Sequence, residues 1–406
     1  MATSSDGVHW KEFGRILSKG EGVTWMGTGS TWKSPSLDQD TKFLMNFSEW
    51  KGPRQTIFFA ESIDLVRWTR LGNEYEFRQD ERWYQPNGRW DCIYTIQRPG
   101  GGLYGYWTAT PKAGGRGSHP ASGCFGFGQS QDGVTWEATP PPETHGVDNG
   151  EVGAVEKIGD KYYMMFGAGG LMVTLIADKP EGPFHAAEKN FRLLSGHTYF
   201  SRFFPMPDGV LVNHHSIARD GEVYFAPLKQ SMVDSEGTLR LGWWKGNEKM
   251  KHEVIHVELP TGRILANSDT SDSPIIMLGN TFDTDKGVIL EGILPLPESK
   301  DSLRSGLYLE CGKEHGSAIL VDADGAVQLG PMQSDGSDFK CEKQVNREMS
   351  FGKSPAFRLL LKGSLLEFYL EDILLECLNL SGNATGRIGF IQGSARESFK
   401  NLQAWR

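Results

Sequence analysis

The chain has 406 residues with a formal net charge of −9, and 38% of the residues are hydrophobic. This is enough sequence for two domains that each bury a core. The charge is spread without long basic runs, which argues against a nucleic-acid or anionic-membrane surface, because both need a basic stripe. We therefore expect no nucleic-acid and no membrane partner and a neutral ligand such as a carbohydrate; the oligomeric state stays open.

The residue types favour many short strands joined by turns. There are 50 Gly, 20 Pro and 12 Trp with few helical periodicities, which predicts an all-β fold. The five cysteines are widely spaced without a C-x-x-C pair, so we expect no disulfide framework, no zinc site and no cofactor. The first residues do not look like a signal peptide, which makes a cytoplasmic location the default expectation. Because they resemble the inside of a repeat, the sequence leaves open whether an upstream segment is missing.

A repeat of the form Ser-x-Asp-(Gly/Leu)-x-x-Trp organises the first part of the chain. It occurs at 4–10, 62–68 and 130–136, and a related form ends at Phe184. The spacing of the copies is near the length of a four-stranded propeller blade. The Asp predicts a tight turn in each copy, and we expect the Trp to pack between neighbouring blades rather than to stack on a sugar.

The copies of the repeat divide this part of the chain into successive sequence units, and two of these sequence units open with a carboxylate. Arg89-Trp90-Asp91 opens the third unit, and Glu151 opens the fourth, ahead of an apolar alternation and a turn at 159–160 that together predict a hairpin. The first strands of propeller blades converge on a central channel, so Asp91 and Glu151 are expected to meet there. Two carboxylates in one aromatic-lined pocket are what glycoside hydrolysis requires.

Simpler interpretations of the same residues remain open. Asp91 would then only hold Arg89 in an ion pair, and Glu151 would be solvated at a strand end. The glycines beside Glu151, at positions 150 and 153, leave room for a ligand to approach the backbone closely.

The pattern changes near residue 270. Before it, the region from 197 to 215 predicts a hairpin that opens the last blade. After it, alternating strands lack the Trp closure and have hairpin spacing, which favours a β-sandwich. These strands are predicted at 287–291, 306–310, 317–321, 357–361 and 365–370. We therefore predict a five-bladed β-propeller with an incomplete first blade over 1–270 and a β-sandwich over 271–406.

This order of elements resembles glycoside hydrolase family 32, the invertases, levanases and inulinases; the propeller families that cleave arabinosides and xylosides are similar at the same points. The resemblance covers the whole chain in architecture but is sparse in motif. Asp91 stands where the family has Arg-Asp-Pro, which implies a transition-state stabiliser. Glu151 stands where the family has Glu-Cys, which implies the general acid/base. Arg89 would contact substrate beside them.

Further substrate contacts are expected around this pair. Trp25 and Trp90 flank blade-opening strands and do not fit the repeat, so we place both at the channel mouth, against a sugar face. Trp25 also lies in a segment similar to the family's Trp-Ser-Gly-Ser. Tyr199 and Arg202 would face the channel from the fifth blade.

Histidines are the remaining candidates at the blade openings. They are compatible with a substrate-binding imidazole or a channel metal, whereas a hydrogen-bonded structural role is the alternative. We expect no metal and retain His197 as a substrate contact. The candidates are His145, His197, His214 and His215.

The family's nucleophilic aspartate, in Trp-Met-Asn-Asp-Pro-Asn-Gly, has no counterpart in this sequence. None of the nearest aspartates has such a context: Asp6, Asp38, Asp40 and Asp148. Either an upstream segment is missing or the classical retaining chemistry has been lost. Two functions follow. The chain is a glycoside hydrolase acting on a fructofuranoside or similar furanoside, or it is a carbohydrate-binding pseudoenzyme that retains the pocket without the nucleophile. A propeller used only for protein interaction would predict no channel carboxylates.

Overall fold

The structure is a computed structural model. It describes the chain except residues 28, 113–123, 148, 195, 197, 219–220, 261–274, 298–304, 313–314, 323, 381–384 and 392–400. The described residues are mostly in β-strands, and their helices are the short segments Leu37–Asp40, Asn73–Tyr75 and Lys245–Met250. The all-β prediction is therefore confirmed. Within this part of the chain, no helix has the length and apolar character needed to cross a membrane.

The chain forms two compact units. The first unit comprises 1–193 and 200–205, and the second comprises 194–199 and 206–406. The strand Thr198–Met206 therefore has residues in both. The predicted domain boundary at residue 270 lies outside the described residues and stays a prediction.

Three antiparallel meanders follow one another in the first unit, an arrangement typical of propeller blades. The first has the strand order Trp25–Gly27, Phe43–Lys51, Arg54–Ser62, Thr69–Arg70, with Thr31–Lys33 beside Phe43–Lys51. The second has the order Trp90–Gln97, Leu103–Ala109, Cys124–Ser130, Glu137–Ala138. The third has the order Glu151–Ile158, Lys161–Ala168, Leu171–Ala177, Phe184–Ala186, and Thr144–His145 runs parallel to Phe184–Ala186 at its edge. Arg192–Leu194 pairs with Leu171–Ala177 of the third sheet, and Ala2–Thr3 pairs with Lys11–Glu12 in a separate two-stranded sheet.

The Ser-x-Asp repeat forms the same turn three times. In each copy the Asp Oδ1 accepts hydrogen bonds from the backbone N–H groups two and three residues later, at 2.7 to 2.9 Å. Hydrogen bonds from His9 and the backbone hold the pKa of Asp6 well below its usual value. The last repeat tryptophan, Trp136, packs edge-on against Trp32 of the first meander at 6.2 Å between ring centroids, as expected for a structural residue. Trp10, in the first copy, is 43% exposed.

The second unit contains two sheets that share one hydrophobic core. The larger has the order Thr198–Met206, Gly209–Ile217, Lys229–Val233, Leu239–Trp243, Ile373–Asn379, Leu365–Leu370, Ala356–Lys362, Val288–Ile293, Gln403–Trp405, Val254–Ile255, with Val223–Phe225 beside Gly209–Ile217. The smaller has the order Ile275–Phe282, Gly386–Ile391, Ser305–Glu310, His315–Val321, Val327–Gln333, Lys343–Val345. Leu290 and Leu359 of the larger sheet share this core with Leu307 and Ile319 of the smaller. The strands predicted between 287 and 370 are confirmed.

The strands from 209 to 243, predicted as part of the last blade, join the C-terminal strands in one sheet. Gly242 is the partner of Ile373 across this junction, and the Trp243 N–H donates to the Asp372 carbonyl at 2.7 Å. Backbone hydrogen bonding therefore continues from these hairpins into the C-terminal part of the second unit.

Candidate active site

Two carboxylates of the first unit contact the same nitrogen of an arginine side chain. Arg89 Nη2 lies 2.7 Å from Glu151 Oε1 and 3.2 Å from Asp91 Oδ2. Because both oxygens contact the same nitrogen, they are at most roughly 6 Å apart, close enough for one sugar ring to contact both. The side chains of Arg89, Glu151 and Asp91 are 37%, 25% and 5% exposed. Solvent therefore reaches Arg89 and Glu151, while the Asp91 side chain is buried.

The charge of Arg89 is fixed by this arrangement. Partial burial opposes the positive charge, but the carboxylates of Glu151 and Asp91 outweigh it and raise the pKa of Arg89 above its usual value. The predicted ion pair between Arg89 and Asp91 is thus present, and it includes Glu151 as well.

Buried donors hold the second oxygen of Asp91. The Ser48 hydroxyl donates to Asp91 Oδ1, and the Cys92 thiol donates to the same oxygen at 3.3 Å. Ser48 is 0% exposed and Asp91 is 3% exposed, so neither side chain can turn to solvent without losing these bonds. Ser48 was missed by the sequence analysis. The available signal was that Asn46 and Ser48 are polar residues at alternate positions, on either side of Phe47, in a strand that begins with three apolar residues.

The two predicted channel tryptophans have different environments. Trp25 is 48% exposed, and a β-carbon added at Gly27 would lie 2.4 Å from its ring and 2.7 Å from Ser48 Oγ. Its ring therefore borders the hydroxyl that holds Asp91. Trp90 is 0% exposed, its indole N–H donates to the Phe77 carbonyl at 3.0 Å, and its prediction as a substrate contact is corrected. Neighbouring strand residues face opposite sides, so Trp90 enters the core when Asp91 faces the site.

Arg202 lies close to the strand that carries Asp91, and one of its nitrogens donates to the backbone. Its Nη1 donates to the Gly153 carbonyl and, at 3.2 Å, to the Ser201 carbonyl. Burial lowers the pKa of Arg202, opposed by its interactions with Cys92 and Tyr94. The structure thus brings Arg202 together with the Asp91 strand and the Glu151 strand.

Among the other candidates, the structure places Tyr199 and His145, whereas His197 lies outside the described residues. Tyr199 belongs to the second unit, where its ring lies 6.4 Å from that of His215. His145 stacks on His185 at 4.6 Å between ring centroids.

The glycines beside Glu151 make room for the protein itself. A β-carbon at Gly150 would lie 2.2 Å from the Gly167 carbonyl oxygen, and one at Gly153 would lie 2.6 Å from the Met165 carbonyl oxygen. The expectation that a ligand approaches the backbone at these two positions is therefore corrected.

One group of potential metal ligands occurs among the described residues, in the second unit. Ligand atoms of His214, Glu367 and Cys377 lie within 4.8 Å of one another, and all three residues are buried. The Lys229 ammonium already donates to Glu367 Oε1. A metal ion would have to displace this buried cation, so the group is better suited to an internal ion pair.

Comparison with known proteins identifies the fold. No family model matches the chain, and no curated protein matches it. Among solved structures, a mutant Bombyx mori GH32 beta-fructofuranosidase in complex with sucrose matches with a TM-score of 0.71 and 12% identity, covering 100% of this chain and 83% of that chain. An exo-inulinase from Aspergillus awamori matches at 0.68 and 10%, covering 100% and 88%.

A third match is a fructofuranosidase from Schwanniomyces occidentalis complexed with fructosylnystose, with a TM-score of 0.64 and 10% identity over 100% of this chain and 87% of that chain. The chain therefore has the all-β fold of the GH32 propeller enzymes. At identities this low the likeness concerns the fold, and the argument for a function depends on the site.

Proposed function

We propose that this protein is a glycoside hydrolase that cleaves a fructofuranoside or a similar furanoside. Its architecture would be a five-bladed β-propeller over 1–270 followed by a β-sandwich over 271–406. The three successive meanders of the first unit support the propeller, and the core shared by two sheets of the second unit supports the sandwich. The GH32 fold supports the substrate class, because the matched structures are fructofuranosidases and an inulinase.

The observation that carries the proposal is the single Arg89 nitrogen that contacts both Asp91 and Glu151. Asp91 is buried and fixed by Ser48, which suits a group that holds sugar hydroxyls as the oxocarbenium-like transition state forms. Glu151 is more exposed. In its protonated form it can give the proton to the leaving glycosidic oxygen as the bond to the anomeric carbon breaks, and as the carboxylate it can then take a proton from the water that adds to that carbon. Trp25 offers an exposed ring beside them for a sugar face.

A carbohydrate-binding pseudoenzyme is the second candidate. It is favoured by the absence, from the 406 residues, of the Trp-Met-Asn-Asp-Pro-Asn-Gly segment that carries the family nucleophile. The Arg89 cluster with Trp25 would then bind a sugar without cleaving it. Both candidate functions use the same residues to bind a sugar, so turnover and binding have to be measured separately.

The test is the substitution Glu151→Gln. The amide retains the shape of the carboxyl but has no acidic proton, so we expect kcat to fall by ~10²–10⁴-fold while sugar affinity changes little. Asp91→Asn should weaken both affinity and kcat, because a group that holds hydroxyls acts before and during the reaction. Hydrolysis of fructosides, arabinosides and xylosides is followed by released sugar, and binding is followed by calorimetry.

The outcomes separate the two candidates. If wild type hydrolyses one of these sugars and Glu151→Gln does not, the hydrolase stands. If wild type and Glu151→Gln bind sugar equally and neither cleaves it, the pseudoenzyme replaces it. If wild type neither binds nor cleaves any of them, both proposals are wrong.

A further inference from the structure

Each candidate carboxylate is followed by an irregularity in its strand. Asp91 is the partner of Thr108 and Tyr94 is the partner of Tyr106, so the two residues between Asp91 and Tyr94 lie opposite one, Trp107. In the next meander, pairing shifts between Val152 and Ala154, which leaves Gly153 as the extra residue. Both irregularities are β-bulges of the type that re-aims a side chain.

The bulges decide which face each carboxylate occupies. Side chains alternate along a strand, so one extra residue moves everything on one side of it to the other face. Asp91 and Tyr94 are three positions apart and would face opposite sides of a regular strand. Because of the bulge they share a face, and the same reasoning places Glu151 on the face of Ala154.

Asn46 holds the first bulge. It is 0% exposed, its Nδ2 donates to the Ile93 carbonyl at 2.8 Å, and its Oδ1 accepts from the Ile93 N–H at 3.0 Å. One amide thus satisfies both backbone groups of a bulge residue, which would otherwise be costly to bury. The preceding residue, Cys92, has φ of +58°, a strained conformation that persists only when its surroundings enforce it.

Arg202 and Thr108 hold the second bulge. Arg202 Nη1 donates to the carbonyl of the extra residue, Gly153. The Val152 N–H donates to Thr108 Oγ1 at 3.1 Å, and Thr108 is the strand partner of Asp91. The Thr108 side chain therefore links the strand that carries Glu151 to the strand paired with Asp91, directly beside both carboxylates.

We propose that Asn46, Thr108 and Arg202 are positioning residues that clamp the two bulges and so set the direction and separation of Asp91 and Glu151. None of the three has to touch the sugar for this role. The inference rests on the proposed function, because the positioned groups are its candidate catalytic carboxylates.

The first test removes the clamp of Asn46 and supplies it again. Asn46→Gly leaves a hole with the shape of acetamide. Since misplacing a catalytic group by about 1 Å can cost 10²-fold in rate, we expect kcat to fall about 10²-fold with KM within about threefold. Added acetamide should restore kcat at least tenfold. The matched control is Asn247→Gly: Asn247 is 1% exposed and donates to the Leu228 carbonyl at 2.8 Å, and its loss should leave kcat unchanged.

A second, nearly isosteric variant covers the case in which Asn46→Gly does not fold. Thr108→Val removes the acceptor of the Val152 N–H with little change of volume, and kcat should fall about tenfold at constant KM. Its control is Thr174→Val in the same unit. Thr174 is 1% exposed and its hydroxyl has no partner among the described residues, so this change should leave kcat unaltered.

A readout independent of turnover is the alkylation of Cys92 by iodoacetamide, mapped by mass spectrometry. Cys92 is 4% exposed and lies in the first bulge. Release of the clamp should speed its modification about tenfold through local opening, and acetamide should slow it again. If wild type cleaves no sugar, the proposed function fails, and this measurement alone decides the clamp.

The inference is overturned if Asn46→Gly and Thr108→Val match their controls in kcat. An unchanged rate of Cys92 alkylation in Asn46→Gly also overturns it. A lowered kcat that acetamide does not restore would show a loss of structure rather than of position, and would count against it.

Discussion

Both units contain a carboxylate paired with a cation, but the two pairs differ in their contact with water. In the first unit, the Arg89 and Glu151 side chains are 37% and 25% exposed. In the second, Lys229 and Glu367 are both 0% exposed, and the Tyr369 hydroxyl donates to the other oxygen of Glu367 at 2.6 Å. The same pair of charges is thus open to a ligand in one unit and sealed in the other.

The difference shows why charge alone does not identify a site. The bonds of Glu367 come from the protein, and they join the strands Lys229–Val233 and Leu365–Leu370 of one sheet. Arg89, Asp91 and Glu151 also form ion pairs with one another. Because Arg89 and Glu151 are partly exposed to solvent, however, the hydroxyl groups of a ligand can compete for the same donors and acceptors. Breaking the sealed pair should therefore cost stability, whereas breaking the open one should cost activity.

The largest effect is expected for Lys229→Met. It leaves the Glu367 charge buried without its cation, which typically costs about 3–5 kcal/mol in the free energy of unfolding. Urea unfolding measures the loss, and sugar binding by the folded protein should be unchanged. In the double variant with Glu367→Leu, most of the stability should return. A single variant as stable as wild type would contradict the sealed character of this pair.

Glu156, in the strand that begins with Glu151, gives an intermediate and pH-dependent effect. Burial raises its pKa to about 7, although a hydrogen bond from the Lys157 N–H opposes the shift. A raised carboxyl pKa means that the unfolded chain loses this proton first, at its ordinary value of 4.5. The free energy of unfolding should therefore fall as pH rises from 4.5 to about 7, by on the order of 2 kcal/mol after allowance for partial exposure.

The measurement is urea unfolding of wild type and Glu156→Gln from pH 4.5 to 8. The variant should lack this fall and be the more stable protein above pH 7. Glu188→Gln, at an exposed position, is the control and should follow wild type. Parallel pH curves for wild type and Glu156→Gln would refute the assignment.

The smallest effect is expected for Trp25→Ala. Loss of an exposed stacking ring should weaken sugar binding by about 0.5–1.5 kcal/mol, or roughly 2–10-fold. The free energy of unfolding should change by no more than about 0.5 kcal/mol, because the side chain is 48% exposed. Trp90→Ala is the contrast, since its buried ring should give a loss of stability of about 3–5 kcal/mol. Unchanged sugar affinity in Trp25→Ala would remove Trp25 from the proposed site.

Local patterns predicted much of this molecule. The Ser-x-Asp turns, the hairpin after Glu151 and the C-terminal strands depend on neighbours close in sequence, and each formed as expected. The proximity of Asp91 and Glu151 was predicted from their matched positions at the starts of consecutive sequence repeats. The sheet shared by the hairpins from 209 to 243 and the C-terminal strands was not foreseen.

The misses have two physical origins. Trp90 was misplaced because it directly precedes Asp91 in a regular part of the strand, where neighbouring side chains face opposite sides. Asn46 and Ser48 act on residues that follow them by more than forty positions, and Lys229 meets Glu367 across 138. Such contacts depend on which strands become neighbours, and that is decided by the whole chain.

The Ser-x-Asp turn has a consequence for how a chain of this type can become longer during evolution. The Asp-to-backbone bonds that shape each turn span at most three residues, so a turn needs no distant segment in order to close. A duplicated segment that ends in this sequence would therefore form the same turn wherever it is inserted. Gene duplication can therefore lengthen a protein of this type by whole meanders, with new side-to-side packing as the main remaining requirement.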